Sequence, residues 1–165
     1  MVFQGKLIIF VAMGGLLAML GGIVYYASLD NPKLQQAGVY LMDVKVIDVN
    51  VVERYAKLQT TFLVKNPTDK TFTVPLIAYK LFANGVLIGN GQYSTEDIAM
   101  PGRAAFYPNT EIPLTHIFRL VFSENIEEEY NNIVNNDKNI KFTADGIITL
   151  ENAWSVVEKN FNTSL

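Results

Sequence analysis

One histidine and no cysteine limit the chemistry that this 165-residue chain can perform. A zinc site needs nitrogen or sulfur ligands, so His116 would have to share the ion with carboxylates alone, which is an unusual ligand set. The lack of cysteine excludes disulfides, thiolate metal sites and a cysteine nucleophile. A serine triad built on His116 has no G-x-S-x-G context to support it. We therefore interpret His116 as the start of a helix.

Two other groups of residues could carry chemistry, and each has a simpler structural interpretation. The run Glu127-Glu128-Glu129 could form a calcium site or an acidic docking patch, but acidic runs on helices are usually solvated faces. No D-x-[DN]-x-[DN]-G calcium loop is present. The glycines at 85, 89 and 91 are followed by no helix, so they suit strand turns rather than a phosphate cradle. The sequence predicts no catalytic residue, no metal site, no bound cofactor and no enzyme activity.

The charge balance gives no reason to expect nucleic acid as a partner. The chain has 13 basic and 16 acidic residues, for a formal charge of −3. Its Lys and Arg residues are scattered along the sequence. A nucleic-acid-binding domain instead gathers basic residues into a patch or stripe.

Residues 7–27 form an apolar segment without charge or proline. A helix over this range spans roughly 30 Å, which is the hydrocarbon thickness of a bilayer. Tyr25 and Tyr26 stand where an aromatic belt meets the lipid headgroups, and Lys6 marks the other end. A cleaved signal peptide is the alternative, but Tyr25 would then occupy a position that needs a small residue. The sequence predicts a transmembrane helix over residues 7–27, with the lipid bilayer as its partner.

The orientation of this helix is predicted from the short tail that precedes it, residues 1–6. Lys6 comes before the helix and Lys33 and Lys45 come after it, so the positive-inside count is nearly balanced. A very short tail before a signal-anchor usually stays in the cytoplasm. We expect a single-pass protein of the cell membrane with its C-terminal part outside. Asn162 begins a glycosylation sequon that would be usable there.

Small residues recur along one side of the predicted helix. Gly14, Ala18 and Gly22 are spaced four residues apart, which places them on one face and lets another transmembrane helix approach closely. Glycine is also common in membrane helices that have no partner. The spacing leaves open a contact with other membrane-protein subunits.

The remainder of the chain divides into a polar linker, residues 28–36, and one domain, residues 37–165. Alternating apolar and polar residues predict half-buried strands in this domain. The Asn66-Pro67 and Asn84-Gly85 pairs predict turns, the second a type I′ hairpin turn. The predicted strands cover residues 39–50, 58–64, 72–81, 86–88, 104–112, 140–150 and 153–161. Seven short strands separated by turns are typical of a β-sandwich.

A helical segment interrupts this strand pattern after Thr115. Ile117, Leu120 and Val121 have helical spacing, and a second helical stretch begins near Ser123, a candidate N-cap. Its apolar positions are Ile126, Tyr130, Ile133 and Val134. The predicted fold class is therefore all-β, an immunoglobulin-like or fibronectin type III-like sandwich with one added helical segment and a single transmembrane helix before it.

Several of these motifs occur in an order that resembles a known family. LVKNPTDKTFTV is followed by AYKLFANGVLIGNGQ, a Pro-Gly turn, a strand that ends in EIPL, and a strand that contains Gly146. In this order they resemble late-embryogenesis-abundant (LEA) group 2 proteins, which carry the water-stress and hypersensitive-response domain. Asn66, Pro67, Asn84, Gly85 and Gly91 belong to these motifs as structural turn residues. The resemblance covers roughly residues 39–150.

The resemblance implies a folded fibronectin-like domain, a link to desiccation and stress, and no catalytic residues. A membrane-anchored protective or interaction module that acts on client proteins is the function expected from it. An accessory subunit that packs through its transmembrane helix is a second hypothesis. A carrier of an apolar small molecule between the two sheets is a third.

Overall fold

The structure, a computed structural model, describes residues 2–95 and 104–165, with side chains from Leu7 onward. The turn predicted at Met100-Pro101-Gly102 lies outside the described residues. An N-terminal helical arm leads into a domain made of two β-sheets.

Two helices precede the sheets. Helix α1 covers Val2–Ser28 and the short helix α2 covers Asn31–Leu34, with Pro32 in its first turn. Proline is tolerated there because the first backbone N–H groups of a helix have no intrahelical partner. Among the described residues, one segment, Leu7–Leu34, is long and apolar enough to cross a membrane, and the domain buries none of its most apolar stretch.

The strands follow from the alternation of apolar and polar residues, because each inward side chain is buried against the facing sheet. Val74, Ile77, Tyr79 and Leu81, for example, are buried on one face of a single strand. The strands are β1 (Gly38–Asn50), β2 (Tyr55–Lys65), β3 (Phe72–Ala83), β4 (Val86–Ser94), β5 (Ala105–Phe106), β6 (Glu111–Val121), β7 (Phe142–Glu151) and β8 (Val156–Ser164).

The strands form two antiparallel sheets that pack as a sandwich. The first sheet has the order β1-β2-β6, and the second has the order β4-β3-β7-β8, with β5 paired to β3. The core between them is aromatic at its centre. Phe62 lies 4.8 Å from Tyr79 and 5.8 Å from Phe161, measured between ring centroids, in edge-to-face contacts. The prediction of a β-sandwich after an apolar N-terminal helix is confirmed.

The added helical segment lies between β6 and β7. A 3₁₀ turn at Glu124–Ile126 leads into helix α3, Glu127–Val134. Ile126, Tyr130 and Ile133 are buried against the core, as the helical spacing predicted. Ser123 stands at the N-cap position of the 3₁₀ turn, but its side chain makes no capping hydrogen bond.

The prediction of a helix start at Thr115 and His116 is wrong, because β6 continues to Val121. Leu114, Phe118 and Leu120 are buried in strict alternation. His116 occupies the inward position between Leu114 and Phe118. A polar residue in the apolar series hid the strand period, and the remaining apolar residues then matched a helical spacing by coincidence.

Three further strand predictions also differ from the structure. The strand predicted over residues 104–112 is divided between β5 and the start of β6, with a turn between them. The strand turns that we inferred from Gly89 and Gly91 are absent, since β4 passes through both residues; the irregularity is a shift in register beside Gly89. The last strand begins at Val156 rather than at residue 153. Trp154 therefore lies in the β7–β8 turn, where it is exposed.

Candidate functional site

The polar side chains at the centre of the sandwich belong to Thr60, Tyr79 and His116. Thr60 lies on β2, His116 on β6 of the same sheet, and Tyr79 on β3 of the facing sheet. The Tyr79 hydroxyl lies 2.7 Å from Thr60 Oγ1 and 2.8 Å from His116 Nδ1, and Thr60 Oγ1 donates to the His116 carbonyl oxygen at 3.2 Å. These hydrogen bonds join the two sheets across the apolar core.

The direction of each hydrogen bond follows from the number of protons. The His116 carbonyl only accepts, so the single Thr60 proton is used there and Thr60 must accept from Tyr79. The Tyr79 oxygen then accepts from His116 Nδ1–H, which sets the histidine tautomer. In this arrangement no lone pair of His116 Nδ1 faces a hydroxyl proton.

Burial keeps the Tyr79 hydroxyl neutral. Desolvation raises the pKa of Tyr79 to about 12, against a smaller lowering by its hydrogen bond to Thr60. A nucleophile or general acid would need a pKa moved toward neutrality. The trio therefore acts as a polar cross-link between the sheets, and its chemistry gives no support to a catalytic role.

Two glycines make room for the Tyr79 side chain. Gly91 on β4 and Gly146 on β7 are the direct partners of Tyr79 on its two sides. A Cβ at Gly91 would collide with the Tyr79 ring and lie 2.8 Å from its Cε1. A Cβ at Gly146 would overlap the carbonyl oxygen of Ala78 and lie 2.8 Å from Tyr79 Cα. The absence of side chains at these positions keeps the tyrosine beside its polar partners.

Asn66 ties together two loops at one end of the sandwich. Its buried amide nitrogen donates to the carbonyl oxygens of Lys70, Phe106 and Tyr107 at 2.7, 2.8 and 3.1 Å. Its amide oxygen accepts from the Thr68 backbone and hydroxyl at 3.0 and 2.8 Å. Both the amide nitrogen and the amide oxygen of Asn66 are therefore paired with other groups of the protein, so Asn66 is a structural residue. Its neighbour Pro67 is exposed.

Asn84 and Gly85 lie in the β3–β4 turn at the other end. Their φ angles are 51° and 87°, as a type I′ turn requires. The Asn84 side chain also accepts from the backbone N–H of Lys141 at 3.0 Å. This asparagine is thus selected by backbone geometry and by a contact with the chain that leads into β7.

The junction between α1 and the sandwich is held by charged and polar side chains. Asp30, two residues after α1, is buried, lies 3.1 Å from Lys70 Nζ and accepts from Asn152 Nδ2 at 3.4 Å. Lys33 contacts both carboxylate oxygens of Asp69 at 2.8 and 2.9 Å. The Asp30 carboxylate raises the pKa of Lys70, and the Lys33 ammonium lowers the pKa of Asp69.

Apolar packing supports the same junction. Leu34 of α2, which lies within the predicted polar linker, and Ala37, the first residue of the predicted domain, are both fully buried in the core. Lys159 on β8 donates to the Ala37 carbonyl oxygen. The segment between α1 and β1 therefore packs against the sandwich and contributes to its core.

The remaining predicted site residues lie apart from these contacts. Nothing lies within 4 Å of a Cβ built at Gly14 or Gly22. Asn162 is exposed on β8, opposite Asp145 of β7. The three glutamates at 127–129 form the first turn of α3, where Glu127 and Glu128 are exposed and Glu129 is half-buried. Within residues 2–95 and 104–165, no group of three His, Asp or Glu side chains could hold a metal ion.

The grooves on the surface of the described residues include two that are wide enough to admit a ligand. One, of about 600 Å³, crosses the outer face of the second sheet and is lined mainly by polar residues and glycine, among them Lys80, Asn90, Gln92, Asp145 and Asn160. The other, of about 500 Å³, lies beside α3, with Val46, Leu58, Ile133, Phe142 and Leu165 in its wall. Tyr79 lines the first groove, but its partners Thr60 and His116 line neither groove.

Sequence reasoning missed the hydrogen-bonded trio and the junction. A signal for the trio was present, because Thr60 and Tyr79 each interrupt an inward apolar series. The pairing of β2 with β6 and the facing of the two sheets bring them together, and a single strand pattern contains neither fact. The junction contacts join residues far apart in the chain, and no local pattern around Asp30 indicates them.

Several solved structures align with this chain. A protein from Arabidopsis thaliana aligns with a TM-score of 0.51 and 15% identity over 77% of this chain and 79% of that one. A protein from Archaeoglobus fulgidus covers 76% of this chain and 94% of its own at 18% identity and a TM-score of 0.45. A protein described as a candidate LEA protein covers 92% and 86% at 15% identity and a TM-score of 0.44.

No protein-family model and no curated protein sequence matches the chain. At these identities the likeness concerns the fold alone, and the TM-score of 0.51 with the Arabidopsis protein supports it. This chain therefore shares its β-sandwich fold with that plant protein.

Proposed function

We propose that this chain is a membrane-anchored, non-catalytic protein with an LEA group 2-like domain that protects client proteins or membranes under desiccation and related stress. Helix α1 crosses the cell membrane once, with the N-terminus in the cytoplasm and the sandwich outside. The sandwich offers its sheet edges and end loops to clients, since an exposed edge strand can pair with an extended segment of another protein.

The junction between α1 and the sandwich is the observation that carries this proposal. An exposed apolar helix ends two residues before Asp30, which is held by Lys70 and Asn152 on the domain. An apolar helix of this length costs free energy in water and gains it in hydrocarbon. The motifs around Asn66 and Asn84, which resemble LEA group 2 proteins, support the stress-related part.

The test uses the full-length chain in phosphatidylcholine vesicles with lactate dehydrogenase as the client. After drying and rehydration, we expect higher recovered enzyme activity, or less vesicle leakage, than in vesicles that carry α1 alone at the same protein-to-lipid ratio. The α1-only vesicles separate protection by the sandwich from any effect of the helix on the bilayer. Equal losses in both samples after drying, heating and freezing would contradict a protective role.

A second candidate, an accessory subunit of a membrane complex, is favoured by the open face of α1. Gly14 and Gly22 leave the helix backbone accessible, and Ala18 lies between them on the same face. Extraction of the chain from its native membrane in mild detergent distinguishes the two candidates. A particle with stoichiometric partners supports the subunit, whereas a lone chain in its micelle supports the protective module.

A further inference from the structure

One end of the sandwich is placed close to the membrane by the chain itself. Helix α1 ends at Ser28, and Asp30 is already bound to the domain. Two residues reach at most about 8 Å, since consecutive Cα atoms are about 3.8 Å apart. We call the loops around this point, residues 66–70, 107–110 and 152–155, the anchor-side end.

The turn that carries Trp154 is fixed to this junction. Asn152 accepts from the backbone N–H groups of Trp154 and Ser155 at 2.9 and 2.8 Å through its side-chain oxygen. Its side-chain nitrogen donates to Asp30 at 3.4 Å. One asparagine therefore both closes the β7–β8 turn and joins that turn to the residue that follows the membrane helix.

Aromatic side chains project from this end into solvent. Trp154 is 64% exposed although it lies on a hydrogen-bonded turn, and Tyr107 is 61% exposed. The backbone of Tyr107 is also fixed, because its carbonyl oxygen accepts from Asn66 and from the Thr110 hydroxyl at 3.1 and 2.7 Å. Two large rings held outward on rigid loops lose little conformational entropy when they bind a surface.

We propose that the anchor-side end lies on the headgroup layer of the membrane that holds α1, with Trp154 and Tyr107 in contact with lipid. Tryptophan and tyrosine favour this layer because each has an apolar ring and one polar group that stays hydrated. The inference rests on the proposed membrane anchor, and it adds that the sandwich itself is a membrane-contacting domain with a defined orientation.

Trp154 provides its own probe, because it is the only tryptophan in the chain. The full-length chain is placed in phosphatidylcholine nanodiscs that carry a nitroxide either next to the headgroup or at the end of the acyl chain. We expect the emission of Trp154 to lie at shorter wavelength than that of free tryptophan in water. We expect stronger quenching by the headgroup nitroxide than by the deep one.

Two variants serve as matched controls. Trp154→Phe with Val52→Trp moves the probe to the β1–β2 turn, at the opposite end of β1 from the anchor, where Val52 is 93% exposed. This variant should show no quenching by either nitroxide. Trp154→Phe with Tyr107→Trp should be quenched like the wild-type chain. All three substituted positions are exposed, so neither variant is expected to disturb folding.

The possible outcomes distinguish a failure of this inference from a failure of the proposed membrane anchor. Retention of the chain in membranes under alkaline carbonate tests α1 independently of tryptophan. A chain that is retained but whose Trp154 is not quenched would overturn the inference and leave the anchor standing. A chain that is released by carbonate would overturn both. Equal quenching of Trp154 and of the Val52→Trp probe would overturn the defined orientation.

Discussion

Glycine occurs in both α1 and the sandwich, but for opposite physical reasons. In α1, a Cβ built at Gly14, Gly15, Gly21 or Gly22 has nothing within 4 Å. In the sandwich, a Cβ at Gly146 would overlap the backbone of β3, and a Cβ at Gly91 would meet the Tyr79 ring. The helix glycines leave space free, and the sheet glycines leave space that another part of the chain already fills.

This difference shows which region specifies the fold and which remains available for contacts. The sandwich is internally satisfied around Tyr79, so its glycines are required by its own packing. Helix α1 makes few demands on its own residues beyond apolar character. Substitutions of the same kind should therefore have large effects in the sandwich and small effects on folding in α1.

The largest effect is expected for Gly146→Ala. The added methyl group meets backbone atoms of Ala78 and Tyr79, which cannot move without breaking the β3–β7 ladder. Overpacking of this kind should lower the free energy of unfolding by about 3 kcal/mol or more. Urea unfolding of the full-length chain in micelles, followed by near-ultraviolet circular dichroism, measures it. Gly15→Ala is the matched control, and an equal loss there would break the comparison.

The next effect in size is expected for Asn66→Ala. The variant leaves the carbonyl oxygens of Lys70, Phe106 and Tyr107 without the amide that they share. The Tyr107 carbonyl keeps its hydrogen bond from Thr110 and the Lys70 carbonyl keeps one from Thr68. Loss of the amide contacts, above all the buried one to Phe106, should lower the free energy of unfolding by about 2–3 kcal/mol. Asn84→Ala, at the opposite end, is the comparison. We expect a loss of about 1 kcal/mol there, because alanine disfavours the left-handed conformation.

The alkaline limit of stability reports on Tyr79. Its pKa is about 12 in the folded protein and about 10 when the chain is unfolded, so its ionisation leaves the stability unchanged below pH 10. As the pH rises from 10 through 12, the unfolded chain ionises first, and this difference lowers the free energy of unfolding by about 2–3 kcal/mol. Unfolding free energies measured across this range should fall less steeply for Tyr79→Phe than for the wild-type chain.

At neutral pH the same substitution should have a smaller effect. Tyr79→Phe keeps the ring against Phe62 but removes the hydroxyl between Thr60 and His116. We expect a loss of about 1–2 kcal/mol. A double-mutant cycle with Thr60→Val measures the coupling between the two hydroxyls. Additive losses would show that the polar cross-link contributes no stability of its own.

The parts of this fold that the sequence predicts are those with local causes. The apolar run of α1, the Asn84-Gly85 turn and the alternation in β2 and β3 each depend on neighbouring residues in the chain. His116 shows the limit of that reasoning. It is an inward residue of β6, but only the facing Tyr79 hydroxyl explains a polar side chain there. Without that partner the local pattern favours a helix.

The contacts at the junction between α1 and the sandwich could not be predicted from the sequence for the same reason. Asp30 appears in a polar segment after an apolar helix, which is typical of a linker. Its partners Lys70 and Asn152 are distant in sequence and meet it only because β3 and β7 are neighbours in one sheet. Contacts that depend on the sheet order become visible only once that order is known.

The smallest effect on folding is expected in α1, where Gly14→Leu with Gly22→Leu tests the other half of the comparison. Because nothing lies within 4 Å of either position, the sandwich should unfold within about 0.5 kcal/mol of the wild-type chain. The same variant should lose any partner that packs against this face, since leucine keeps helix backbones apart. Co-purification in mild detergent, with Leu16→Ala and Leu17→Ala as controls on neighbouring positions, measures that loss. Unchanged co-purification of a stoichiometric partner would show that the open face of α1 is turned to lipid.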